Sequence, residues 1–423
     1  MAPAGSAVTA VLQVLEGMRA RLEDCYRDLH AHPELSHEEH RTAASVAQWL
    51  TVAGYETHAG VGGTGVVGLL RNGDGPTVLL RADMDGLPVL ERTGLPYAST
   101  DTATDASGAQ VPVMHACGHD VHVTCLLGAA ELLAKARDRW SGTLVALFQP
   151  AEEVGDGARG MVEDGLARLV PRPDLALAQH VLAFPAGEVG YCSGPFLSAA
   201  NTLRITVHGR GAHGSMPQAA VDPVVLAAMI VVRLQAVVAR EVAPGEFAVL
   251  TVGSVQAGTA GNVIPDQAVI QLNVRAYSEA TRGTVLAAIR RVVTAECQAS
   301  NCPREPEFEE LDAYPVTAND PAVTERVGAA LTAVFGERAH PIARQTASED
   351  FSDLPNAFGT PYTYWGIGAI DPETLHRAEQ ADRVAQDIPV NHAANFAPVL
   401  QPTLDVGTTA LVAAALEWLA KDR

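Results

Sequence analysis

Two short runs, TVLLRAD (Thr77 to Asp83) and GTLVALFQP (Gly142 to Pro150), enclose the longer stretch VHVTCLLGAAELLAKARDR (Val121 to Arg139). The short runs are apolar almost without alternation, the pattern of a strand buried on both faces. The stretch between them has helical periodicity. GVVGLLR, Gly65 to Arg71, adds another such strand, and LALAQHV, Leu175 to Val181, a further strand-like run. Strands of this kind alternating with helices predict a mixed, mostly parallel α/β sheet covered by helices on both faces. Upstream, Val11, Val14, Leu15, Met18 and Leu22 recur at three and four spacings, predicting one helix over about Ala7 to His30. EEHRTAASVAQWLTVAG, Glu38 to Gly54, predicts another that stops at its glycine.

The middle of the chain has a different rhythm. Asn201–His208, Phe247–Gln256, Ala268–Tyr277 and Glu305–Asp312 read as strands, and Asp222–Arg240 and Ser278–Ser300 as helices. That order is βαββαβ, the ferredoxin-like pattern. Helix–strand alternation resumes after Tyr314. We therefore expect a catalytic domain built from residues 1–193 and 314–423, interrupted by a smaller inserted domain over 194–313. A length of 423 residues is too great for one ordinary core and agrees with two domains.

Composition narrows the partners. A net charge of −20 argues against a nucleic-acid backbone, which requires clustered Lys and Arg. The longest strongly apolar run, Val224 to Val232, falls well short of the roughly 20 residues a bilayer span needs, so no membrane role is expected. Six sparse cysteines without a CxxC pair suit a reducing compartment, and the cytoplasm is the expected location. Cys297 and Cys302 are close enough to pair, but two idle thiols is the preferred reading. GVGGTG, Gly60 to Gly65, has the GxGxxG spacing of a dinucleotide loop, yet a strand rather than a helix follows it, so it reads as a turn.

Chemistry-bearing residues gather at the ends of the predicted strands. MHACGHDVH, Met114 to His122, carries Cys117 and His119 on either side of Gly118. A thiolate and an imidazole two apart reach one metal only if the intervening backbone is irregular, which glycine permits. Asp120 would then cap the following helix. Glu152 and Glu153 follow the strand ending at Pro150, where one carboxylate can ligate a metal and its neighbour can act as general base. His180 closes the Leu175–Val181 run, His392 precedes a C-terminal helix, and Asp83 and Asp85 end another strand, where they could orient histidine ligands. Each has a bland alternative: a core thiol, a solvated acidic loop, a satisfied core histidine, a turn cap. Together they place metal-ligand chemistry along one edge of one sheet.

LHAHPELSHEEHRTA, RADMDGLPV, MHACGHDVH, FQPAEEVGDGARGMVEDG, HGRGAHGSMP, GNVIPDQA, SEDFS and NHAANF, in this order, resemble the dinuclear metal-dependent amidohydrolases related to aminoacylases and glutamate carboxypeptidase. The nearest branch is that of hippurate hydrolases and auxin–amino acid conjugate hydrolases. The resemblance spans nearly the whole chain. It implies a metallopeptidase-like catalytic domain with a lid or dimerisation insert, and two divalent ions per subunit. Zinc or manganese is expected, with cobalt or nickel acceptable to such a site. Cys117, His119, Glu153, His180 and His392 are the implied metal ligands and Glu152 the general base. His213 would hold the substrate carbonyl or its oxyanion, and Asn262 and Arg275 the substrate carboxylate. The peptidase branch opens its site with HxD, whereas Asp83-Met84-Asp85 stands here. His30, His32, His37 and Asp350 lie in matching motifs and receive no role; His115 and His122 read as supporting or structural.

The implied reaction is hydrolysis of an N-acyl amino acid, a small-molecule substrate, by a homodimer or homotetramer. A carboxypeptidase or dipeptidase with the same metals is the nearest alternative. A binding protein that kept the fold and lost the chemistry is disfavoured by the intact Glu152 and ligand set. A third reading, Cys117 as covalent nucleophile, would predict activity that survives chelation.

Overall fold

The computed structural model describes residues 3–421. The chain divides into two compact units. One comprises the chain up to Gly194, Ala318–Ala343 and everything from Asp350 onward; the other comprises Pro195–Thr317 and Arg344–Glu349.

The first unit is built on an eight-stranded sheet in the order Glu56–Val61, Gly65–Asn72, Gly142–Gln149, Thr77–Asp83, Leu175–Pro185, Tyr362–Ile370, Val189–Tyr191, Ala339–Pro341. The four strands from Gly142–Gln149 to Tyr362–Ile370 run parallel. Antiparallel pairings flank them on both sides. Every residue of Thr77–Asp83 and of Tyr362–Ile370 is buried, as expected of strands covered on both faces. Helices His119–Lys135, Leu15–Ala31 and Leu400–Leu419 contribute to a single apolar core, in which Ala410 to Ala415 are buried without exception. An alanine-rich face lets helix and neighbours approach closely, and the packing rather than hydrogen bonding supplies the stabilisation.

The N-terminal helix is not continuous. Pro3–Leu12 and Leu15–Ala31 are separate helices. The break falls between Val11 and Val14, whose branched Cβ atoms weaken helix propensity. Val8 and Val11 from one piece and Leu15, Met18 and Leu22 from the other still reach the same core, so burial does not require one straight axis.

The second unit has strands Ala199–His208, Ala248–Ala257, Gln267–Ala276 and Glu307–Tyr314 in an antiparallel sheet, with helices Pro223–Glu241 and Glu279–Ala299 in the intervals. The chain order is βαββαβ. Asp222 caps the first helix by accepting from Val224 N at 2.8 Å, and Ser278 caps the second through Thr281 N at 3.1 Å. Alternation along Gln267–Ala276 turns every second side chain into a core shared with Leu226, Ile230, Leu234, Val285, Ile289 and Val293. Pro223–Glu241 is long and apolar enough to cross a membrane by length and composition, but one face packs in this core. The short segment Arg344–Glu349 joins this unit because Gln345 N donates to Phe196 O at 2.9 Å and Ser198 N to Ala347 O at 2.9 Å. Such a return of six residues from a distant part of the chain leaves no periodic trace in the sequence.

Candidate metal centre

Neighbouring parallel strands end on the same edge of a sheet, and the first unit gathers its polar residues there. Asp83 ends Thr77–Asp83, Glu152 and Glu153 lie just beyond Gly142–Gln149, and His180 sits on Leu175–Pro185. Cys117 and His119 come from the entrance of helix His119–Lys135. Gly118 between them has φ 84° and ψ 25°, a left-handed conformation. A Cβ at Gly118 would also lie 2.4 Å from Val181 Cγ2, so glycine is required there both for conformation and for space.

Gly118, not Asp120, is the N-cap of this helix. Asp120 lies inside the first turn. Its carboxylate accepts from Val121 N at 2.9 Å and meets His30 Nδ1 at 2.7 Å. His30 Nε2 is in turn 3.1 Å from Glu91 Oε1, and His30 and Asp120 are fully buried. A buried imidazole between two carboxylates holds Asp120 more firmly than a cap would. Burial alone would lower the His30 pKa, but Asp120 and Glu91 reverse this and raise it to about 10.

The hydrogen bonds of each histidine decide what its other nitrogen can do. His119 Nδ1 lies 3.1 Å from Asp85 Oδ1. Its Nε2 is buried without a hydrogen bond among the described residues. That atom faces Asp83 Oδ2 at 3.7 Å, Glu153 Oε1 at 3.8 Å and Glu152 Oε2 at 3.9 Å. His180 Nδ1 donates to Val181 O at 2.7 Å, leaving a lone pair on Nε2, which is 3.4 Å from Cys117 Sγ. His392, at φ 71°, has Nε2 3.3 Å from Glu153 Oε2. His392 N donates to Ala116 O at 2.8 Å, and Asn391 Nδ2 donates to Cys117 O and Val181 O, each at 3.1 Å, so this loop is fastened onto the Cys117 segment. Cys117, His119 and Glu153 offer ligand atoms within 4.8 Å of one another. His180 joins them through Cys117 and His392 through Glu153.

A buried imidazole nitrogen that makes no hydrogen bond among the described residues, surrounded by a thiol and carboxylates, fits a divalent cation. His122, which lies in the same cluster, does not serve as a ligand. Its Nδ1 meets Asp83 Oδ1 at 2.5 Å and its Nε2 accepts from Val181 N at 2.9 Å, so both nitrogens are used. Asp83 and Asp85 accordingly divide their work. Asp85 orients His119, whereas Asp83 holds His122 and accepts from Arg81 NH1 at 2.7 Å.

The electrostatics match. Burial pulls the His119 imidazolium down, but Asp83, Cys117 and Asp85 outweigh it and hold its pKa well above the ordinary range. Burial and the Glu153 carboxylate push the Cys117 thiol up. Cys117 and Glu153 raise His392 to about 10. Burial, with His122 beside it, puts His180 well below its usual value, a neutral ring with a free lone pair. Without a cation the site therefore holds protons on Cys117, His119 and His392, whereas His180 keeps its lone pair.

Several supporting residues carried no sequence assignment. Arg81, 1% exposed in the middle of an apolar run, donates through Nε to Gln149 Oε1 at 2.8 Å as well as to Asp83. Gln149 Nε2 and Ala158 N bind the two oxygens of Asp350 at 2.6 and 3.0 Å. A cation inside an otherwise apolar strand was the available signal, since a buried Arg demands carboxylate partners.

In the second unit, His213 and Asn262 stand side by side where Ala212–His213 pairs with Val263–Ile264, and Gly214 N donates to Asn262 O at 2.8 Å. His213 Nδ1 accepts from Ser215 N at 3.1 Å, which makes its Nε2 the protonated nitrogen of the neutral ring. Arg275 NH1 donates to Thr346 O and Ser348 Oγ, both at 2.9 Å, and Nε donates to Asn273 Oδ1 at 3.2 Å. Cys297 and Cys302 are free thiols, as are the other four cysteines.

The family model for peptidase family M20/M25/M40 matches residues 79–391, nearly three quarters of the chain. The chain belongs to this family. It is 37% identical over 348 residues to thermostable carboxypeptidase 1 of Saccharolobus solfataricus, covering 81% of the chain and 84% of that protein. It is 37% identical over 338 residues to hippurate hydrolase of Campylobacter jejuni, covering 79% of the chain and 85% of the relative. Among solved structures, a dinuclear metal-binding M20 peptidase from Bacillus subtilis superposes with a TM-score of 0.75 at 28% identity, over 95% of this chain and 98% of that one. The M20 chain described here is thus a hydrolase of an amidohydrolase-containing family with a metallopeptidase-like α/β fold, as the motif resemblance implies.

Proposed function

We propose that the chain hydrolyses the amide bond of N-acyl amino acids, releasing the acyl group as a carboxylate and the amino acid with a free amine. The observation that carries this reading is the buried Glu152 carboxylate, 3.9 Å from His119 Nε2, which makes no hydrogen bond among the described residues, and beside the Cys117–His119–Glu153 group. Cys117, His119, Glu153, His180 and His392 would hold two divalent ions. Thiolate with imidazole favours zinc, with manganese, cobalt or nickel as occupants that such a site accepts. Bound ions supply the Lewis acidity that polarises an amide carbonyl and acidifies water. Glu152 takes the proton of the attacking water and returns it to the leaving nitrogen. His213, donating through Nε2–H, would steady the carbonyl oxygen, and Asn262 and Arg275 the substrate carboxylate.

A carboxypeptidase differs only in the acyl half and is favoured as the second reading by the Saccharolobus relative. We further propose a cytoplasmic homodimer or homotetramer. Six free thiols support the compartment, and exposed Val224, Val225, Met229 and Val232 on one helix of the second unit support self-association. A monomer in sedimentation at working concentration would contradict the latter. For the chemistry, Glu152→Gln should keep its metal and lose about 100-fold or more in kcat, the scale of general acid–base catalysis. A near-wild-type rate would remove Glu152 from that role.

A further inference from the structure

The segment Ser36–Glu39, between the helices Leu15–Ala31 and His40–Val52, touches the turn that carries Glu152 and Glu153 at successive points. Glu39 is fully buried. One oxygen of its carboxylate accepts from Ala151 N at 2.8 Å and from His37 N at 3.0 Å, and the other accepts from Thr64 Oγ1. Ala151, the residue before the glutamate pair, has φ 50°, a strained conformation for a residue with a Cβ. Two residues on, Glu153 N donates to Asp85 Oδ2 at 3.0 Å, and the same oxygen accepts from Ser36 Oγ at 2.7 Å. Farther along, His37 Nε2 lies 2.9 Å from Asp156 Oδ1. The turn also closes on itself, with Gly155 N donating to Glu152 O at 2.9 Å and Gly157 N to Ala151 O at 3.2 Å.

From this geometry we infer that Glu39 is a positioning residue, which holds Ala151 in its left-handed conformation and thereby sets the directions of the Glu152 and Glu153 carboxylates. A buried N–H without an acceptor and a left-handed alanine each disfavour the observed turn, so it persists only while an acceptor of the right length faces Ala151 N. Glu39 is not among the residues that would hold a metal ion. It acts through the backbone. Its three donors are two N–H groups on one oxygen and a hydroxyl on the other. A glutamine can reproduce this, its carbonyl taking both N–H groups and its NH2 donating to Thr64 Oγ1. An aspartate keeps the charge but withdraws the acceptor by one methylene. Acceptor geometry and charge therefore make opposite predictions.

This inference rests on the reading of Glu152 as general base. The test compares Glu39→Gln, Glu39→Asp and Glu39→Ala with Glu152→Gln, measuring kcat and KM per folded chain, zinc bound at saturation, and melting midpoint. We expect Glu39→Gln within about threefold of wild type. Glu39→Ala should lose on the order of 100-fold in kcat, the cost of misplacing a catalytic group by about 1 Å, with KM little changed and zinc still bound. Glu39→Asp should lose kcat while folding normally, which covers the case in which the alanine variant fails to fold. Glu39→Asp or Glu39→Ala at wild-type kcat, beside an inactive Glu152→Gln, overturns the positioning role alone. Glu39→Gln as damaged as Glu39→Asp overturns it in favour of a structural requirement for an ordered charge. An active Glu152→Gln overturns the general-base reading and this role with it.

Discussion

Replacing Gly118 by alanine isolates how one backbone position shapes the centre. The added Cβ enters a backbone at φ 84° and lies 2.4 Å from Val181 Cγ2. The left-handed conformation costs a non-glycine residue about 1–2 kcal/mol. Forcing a methyl into a packed site costs about 1–3 kcal/mol more. Val181 cannot step aside freely, because its N–H donates to His122 Nε2 and its carbonyl accepts from His180 Nδ1 and Asn391 Nδ2. Relief therefore moves the Cys117–His119 connection or the His180 strand, and either weakens the ligand set. The sum, roughly 2–5 kcal/mol, corresponds to a zinc affinity loss between about thirtyfold and several thousandfold if it falls wholly on binding. It appears as a lower melting midpoint of the metal-free protein if it falls on the fold. Competition against a chromophoric chelator, with melting curves of both forms, separates these. Gly118→Ala/Val181→Ala should recover the overpacking part and keep the conformational part. A Gly118→Ala protein with wild-type zinc affinity and a melting midpoint within about 1 °C of wild type would show that neither the conformation nor the space at Gly118 matters.

Metal uptake should release protons near pH 7, because Cys117 and His392 are held above neutrality without a cation. Calorimetry in buffers of different ionisation enthalpy should therefore give one or more protons per chain and an affinity that falls as pH falls; a buffer-independent enthalpy would contradict this. His30→Leu should leave Asp120 and Glu91 as buried carboxylates without their cation, costing about 3–5 kcal/mol, or roughly 6–10 °C in melting midpoint. The sign of the pH dependence follows from the raised His30 pKa. Its contribution is complete below the unfolded value near 6.5 and is lost as pH rises through about 10, while the lowered Asp120 and Glu91 make theirs above the ordinary carboxylate range and lose it in acid. A wild-type-minus-variant stability difference that grows above pH 10 would count against this assignment.

The parallel core was legible because strands buried on both faces lose alternation, as Thr77–Asp83 and Gly142–Gln149 do. The βαββαβ order was legible from Asp222 and Ser278 ahead of long amphipathic runs. The break after Leu12 was not, since helical spacing continues across it while both pieces bury the same face. Ligand types were legible through Cys117, Gly118 and His119. Their supports were not, because Asp83 and Asp85 have the same side chain two residues apart, and only the fold shows that one hydrogen-bonds His122 and the other His119. Glu39 stood in a run of polar residues that resembles any solvated helix start. Only its burial and its reach to Ala151 separate it from Glu38.

Metal-dependent amide hydrolysis is tested most directly with acetyl, benzoyl, long-chain and indoleacetyl amino acids and the purified protein, before chelation, after it, and after return of zinc or manganese. Amide hydrolysis that chelation abolishes and the metal restores is the expected result. Hydrolysis that persists after thorough metal removal would contradict it and leave Cys117 as the candidate nucleophile.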